Sequence, residues 1–111
     1  MLSESHLRRL LALLIAGSRG GPTRLRLLDL VAAEPRNAHQ VAKALAVDYK
    51  TAEHHLRILS RAGLIAGGEG YAGAYQLSPL LEAHWAVLRS AFAQPEGFGE
   101  TQINRKEQAK L

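Results

Sequence analysis

The chain has 111 residues, room for one domain with one modest core, and its 47% hydrophobic content excludes a disordered chain. It contains no cysteine, which excludes disulfides, zinc–thiolate sites and thiol redox chemistry and fits a cytoplasmic location. A formal net charge of +4 and a sequence pI of about 9.9 raise the expectation of a nucleic-acid partner, while no apolar stretch approaches the roughly 20 residues of a membrane-spanning helix.

Leu7, Leu10, Leu11 and Leu14 recur at helical spacing, which predicts an amphipathic helix over residues 3–16 with Ser3 as N-cap. Arg8 and Arg9 ahead of the apolar run Leu10 to Ala16 faintly suggest an export signal. That run leads into the glycine-rich stretch Gly17 to Gly21 and a further amphipathic segment, so it reads as a packing helix. Pro22 suits the first turn of a second helix. Leu27, Leu28 and Val31 form the buried stripe of that helix, Arg24 and Arg26 are expected near its surface, and Pro35 stops it. Asn37 caps a short third helix carrying Val41, Ala42 and Leu45 on one face. A tight turn, Ala46-Val47-Asp48, follows.

Asp48 caps a fourth helix, whose inner face is Ala52, Leu56 and Leu59 and which Gly63 closes in the left-handed conformation. Leu64 to Ala66 and Tyr71 to Leu77 read as two short strands around a glycine-rich tip, Gly67-Gly68-Glu69-Gly70. Ser78-Pro79 opens a last helix to about Ala93, with Leu80, Leu81, His84, Trp85 and Leu88 on its apolar side. Residues 1–94 are expected to form one domain, and 95–111, polar and charged with Arg105, Lys106 and Lys110, a flexible tail.

Two helices joined by a three- to four-residue turn are a helix-turn-helix unit, in which the second helix enters the DNA major groove. Here the second helix covers about residues 48–62. The candidate DNA-binding residues are Tyr49, Lys50, Thr51 in the first turn, Glu53, His54, Arg57 and Arg61. Lys50 and Arg57 can neutralise phosphates or reach guanine O6 and N7. Tyr49 and His54 can donate to phosphates or touch bases. Glu53 is repelled by phosphate; it can accept from cytosine N4, orient Lys50 or Arg57, or lie aside. The hairpin would be a wing, although residues 67–77 hold no Lys or Arg and Glu69 is acidic.

The run Val41 to Ile65, with His55-Leu56, Leu59 and Gly63-Leu64 as its "HL..L...GL" end, resembles winged helix-turn-helix regulators of the arsenical-resistance repressor (ArsR) type. The form Asp48-Tyr49-Lys50-Thr51 followed by His54-His55-Leu56 is similar to small archaeal members. The resemblance covers roughly Thr23 to Pro79. It implies a mainly α fold with a small β-hairpin wing, and a homodimeric transcriptional regulator whose first and last helices build the subunit interface.

Many members of that class sense metals. This chain lacks the thiolate site, and Glu82 and His84, two apart, share no helical face, so neither a metal nor a cofactor is expected. His84 reads as an interface or core residue and His55 as a helix-packing residue. His6 and His39 carry no signal. No nucleophile–base spacing and no phosphate loop point to an enzyme. Two alternatives stay open: a winged protein-interaction module, and a low-specificity chromatin-type protein that coats DNA.

Overall fold

A computed structural model describes residues 3–69 and 73–92. The first helix, α1 (Glu4–Leu11), starts where the Ser3 hydroxyl accepts from the His6 amide. It continues into a π-helical turn, Ala12–Ala16, closed by the Gly17 amide donating to the Ala12 carbonyl at 2.8 Å. The apolar spacing marks helix over 3–16 but does not distinguish α from π geometry.

The second helix, α2 (Gly21–Ala33), has Pro22 in its first turn, where a missing N–H costs nothing. Gly21 is buried against the π turn, and a Cβ there would stand within 1.7 Å of the Ile15 carbonyl oxygen. Helix α3 (Ala38–Leu45) carries a reciprocal capping box, the Asn37 side chain accepting from the Gln40 amide and the Gln40 side chain from the Asn37 amide. Helix α4 (Tyr49–Arg61) begins at Asp48, whose carboxylate accepts from the Thr51 amide at 2.7 Å. It ends in a Schellman motif: Gly63, at φ 79°, donates to the Ser60 carbonyl, and Leu64 donates to Leu59.

Strands β1 (Ile65–Gly67) and β2 (Tyr75–Leu77) pair antiparallel, with Ile65 opposite Leu77. The second strand is shorter than its sequence suggests; Tyr71, its expected start, lies outside the described residues. Helix α5 (Pro79–Ser90), capped by Ser78, closes the described chain. The expected helix end at Ala93 and the tail 95–111 lie outside the described residues.

Every helix sends leucine into one core. Leu7 and Leu11 meet Leu27, Leu28, Leu45, Leu56, Leu59, Leu81 and Leu88, and Leu64, Ile65 and Leu77 of the hairpin region join them. Each such side chain contributes roughly 1.5–3 kcal/mol through burial. A bidentate pair from Arg89 to Asp29, at 2.8 and 3.1 Å, ties α5 to α2. His84, half-buried on α5, has Nδ1 3.6 Å from a Glu4 carboxylate oxygen on α1.

Arg24 corrects the sequence reading. It was expected near the surface, but it is 7% exposed. Its guanidinium is drawn inward by three acceptors: His55 Nδ1 at 3.1 Å, the Leu14 carbonyl at 2.9 Å and the Ser18 hydroxyl at 3.1 Å. A buried charge survives only with partners of this kind.

Candidate nucleic-acid interface

The turn between α3 and α4 sets the second helix against the first. Ala46 sits in the left-handed region, φ 59°, and its amide and that of Val47 donate back to the Lys43 and Ala42 carbonyls. This stops α3 abruptly, and Asp48 restarts the chain as α4 within two residues. Ala52 is fully buried and, having only a methyl group, lets the two helices approach closely. With His55, Leu56 and Leu59 it forms the inward face of α4.

The outward face carries the predicted residues, but not all are equally available. Lys50, His54, Arg57 and Arg61 are exposed, and their spacings of four, three and four put them in one row. Arg57 faces Glu53 one turn back at 3.8 Å, a half-exposed pair that adds little stability. Glu53 thus neighbours Arg57, one of the two partners considered for it. Thr51 is engaged with Asp48 through both its side chain and its amide, and these bonds hold the Asp48 carboxyl below its ordinary range. Tyr49 is partly exposed, and its ring stacks on His39 of α3, centroids 4.5 Å apart. His39 is therefore not the isolated residue its sequence position suggests: the α3–α4 turn brings it beside Tyr49.

A sequence-family profile described as a helix-turn-helix domain matches residues 20–67. No curated protein sequence matches the chain at comparable significance. Among solved structures, the chain is similar to the homodimeric winged helix-turn-helix DNA-binding domain of Mb0332 from Mycobacterium bovis, described as a possible ArsR-family transcriptional regulator. Identity is 22%, coverage 94% of this chain and 98% of that one, and the TM-score 0.60. Rv0081 of M. tuberculosis aligns at 26% identity over 78% of this chain and 89% of its own, TM-score 0.60. HlyU of Vibrio cholerae, in its reduced form, aligns at 19% identity over 82% and 95%, TM-score 0.59.

The fold is a winged helix-turn-helix.

In this winged helix-turn-helix, α3 and α4 are the helix-turn-helix unit and β1–β2 the wing. Sequence reasoning missed one part of the wing. Arg36 pairs with Tyr75 as an isolated bridge, its amide donating to the Tyr75 carbonyl at 3.1 Å and its carbonyl accepting from the Tyr75 amide at 2.8 Å. A single bridging residue after Pro35 leaves no alternating pattern to read. The Arg36 side chain is spent at the wing base, on the Leu30 carbonyl and on Glu34. Elsewhere, a shallow groove of about 470 Å³ runs between the end of α2, β2 and α5, with Glu34, Glu82 and Trp85 among its lining residues and none from α4. Its carboxylates repel phosphate.

Proposed function

We propose that this chain is a sequence-specific regulator of transcription that binds double-stranded DNA as a homodimer, with α4 in the major groove. The observation that carries the reading is the exposed row Lys50, His54, Arg57 and Arg61 on a helix whose opposite face is locked into the core. A helix so held presents its side chains from a backbone that is already ordered, and its N-terminal turn carries a partial positive charge toward phosphate.

Lys50 at the first turn and Arg57 two turns on are the candidates for guanine edges, whereas Arg61 suits the phosphate backbone. Arg57 exchanges its weak contact with Glu53 for DNA. Tyr49, steadied by His39, and Thr51, fixed on Asp48, are placed to support the first turn of the helix more than to reach bases. The wing has no basic residue from 67 to 77, so it serves as a spacer or offers backbone N–H groups.

Homodimerisation is supported by the apolar side chains left outward at the two ends of the domain. Leu13, in the π turn, is 66% exposed and Val87, on α5, is 58% exposed. A two-fold dimer would set two copies of α4 about 34–36 Å apart, one helical turn of DNA.

The test is fluorescence anisotropy with a duplex from the chain's own upstream region and a shuffled duplex of the same length, over a salt series. Tight binding to the first with a large specificity ratio supports the reading. Equal, steeply salt-dependent binding to both replaces it with a DNA-coating protein. Absence of binding at low salt replaces it with a protein-interaction module.

A further inference from the structure

Arg24 and His55 are the two buried polar or charged side chains of the described residues, and they are bonded to each other. Arg24 Nε can only donate, so His55 Nδ1 must accept, which requires a neutral imidazole carrying its proton on Nε2. The same guanidinium donates to the Leu14 carbonyl at the end of the first helix and to the Ser18 hydroxyl in the following linker. That carbonyl is one of the acceptors a helix end leaves unpaired. One side chain of α2 thus joins the C-terminal end of the first helix to the inward face of α4. The linker presses on this node: a Cβ at Gly20 would stand 2.8 Å from His55 Cε1 and 3.3 Å from the Arg24 guanidinium.

We infer that Arg24 and His55 form a proton-sensitive latch that holds α4 in register with the first helix, and that protonating His55 releases it and weakens DNA binding. His55 is a positioning residue here, acting through α4 without touching DNA. Protonation would convert the acceptor Nδ1 into a donor facing a donor and place two positive charges side by side. The groups bearing on His55 are Arg24 from α2 and His54 beside it on α4, ring centroids 5.5 Å apart. From the π turn and linker, the Leu14 carbonyl and the Ser18 hydroxyl are both turned to the guanidinium, and the linker's remaining charged group is the exposed Arg19. Burial, then Arg24, then His54 push His55 below its ordinary value of 6.5, in keeping with a neutral ring in the closed latch. The effect on DNA rests on the proposed function; the latch itself does not.

The test has two arms. In the first, nitrogen-resolved NMR of the imidazoles and backbone amides follows the parent chain from about pH 7.5 to about pH 4.5, through and below the ordinary histidine range. The expected result is the Nε2–H form of His55, titrating below the ordinary value, with the amides of residues 14–20 shifting in step with it. An Nδ1–H form, or amides that ignore its titration, overturns the latch. In the second arm, anisotropy measures affinity for the labelled upstream duplex over the same range in the parent, His55→Asn and His54→Gln. The Asn Oδ1 can replace Nδ1 as acceptor but does not titrate. Affinity of the parent should fall, approaching tenfold per pH unit for each protomer's His55 below its titration point. His55→Asn should flatten that fall. His54→Gln should retain it, because the bond from Arg24 ends on His55 and not on His54. A fall of equal size in the parent and His55→Asn overturns the DNA effect. A parent that binds no duplex at any pH overturns the functional reading, while the NMR arm still decides the latch.

Discussion

Leu56 is 1% exposed in the middle of the inward face of α4, and its truncation to Ala should cost about 2–5 kcal/mol through lost burial and a residual cavity. Chemical denaturation checks this, and an unchanged midpoint would remove Leu56 from the core. On the outward face, Lys50→Ala and Arg57→Ala should each weaken specific DNA binding by about 1–3 kcal/mol if they read base edges. Parent-like anisotropy curves from both would show that the wrong face of α4 has been assigned. Glu53→Gln should strengthen binding by freeing Arg57 and removing a repelled charge; weaker binding would mean that Glu53 itself accepts from a base. Sequence reading set Tyr49, Lys50, Glu53, His54, Arg57 and Arg61 on the outer face of the helix, and all but the half-buried Glu53 are exposed, because a helical period is visible in one dimension. It could not see that Arg24 is turned inward, because the three acceptors that hold it come from Leu14, Ser18 and His55, in other parts of the chain.

At the scale of the element, the unit stands on its caps. The Asp48 carboxyl is held below 3.8 by its bonds from the Thr51 side chain and then the Thr51 amide. A lowered carboxyl contributes stability that is present above the unfolded value and lost as acid carries the pH through the folded one. Asp48→Asn keeps a cap acceptor that does not protonate, so its helix content should persist to lower pH than the parent's, whereas Asp48→Ala should lower Tm; identical acid and thermal curves for parent and both variants would show that this cap is inert. His55 has the same pH sign by a different route. Its folded value is depressed, so its contribution is complete above 6.5 and is lost as the pH falls through the folded value. Between the helices, Ala46 occupies a left-handed conformation that favours glycine. Ala46→Gly should therefore raise stability by up to about 1 kcal/mol, a rise of roughly 4–8 °C in Tm for a domain of this size. A lower Tm would show that the Ala46 methyl makes contacts worth more than the strain. The caps were legible as Ser3, Asn37, Asp48 and Ser78, since each is a short polar side chain before an apolar period. The π turn was not, because α and π windings place the same leucines on nearly the same face.

For the whole molecule, the two ends of the chain matter more than their sequence distance implies. Helix α1 approaches α5 through Glu4 and His84, and α5 is clamped to α2 by Arg89 and Asp29. If the outward apolar side chains of these end segments form the subunit interface, Leu13→Glu with Val87→Glu should shift the sedimentation coefficient from dimer to monomer. The core is not touched, so the far-ultraviolet dichroism should be kept. A parent that sediments as a monomer at concentrations where it binds DNA would dismiss the dimer. A dimer unaffected by both changes would place the interface elsewhere.

The sequence by itself determined the order of the helices, their caps, the leucines of the core and the exposed row of α4, because all of these follow from local geometry: a period of 3.6 residues and a capping residue at its start. Only the tertiary structure decided what the glycines at 20 and 21 are for, since their role is to admit His55 and the Ile15 backbone, neighbours supplied by other elements. It likewise decided that Arg36 joins the wing, that His39 backs Tyr49, and that Arg24 lies buried on His55. Each depends on which distant acceptor or ring the folded core brings within reach, and a helical period carries no such information.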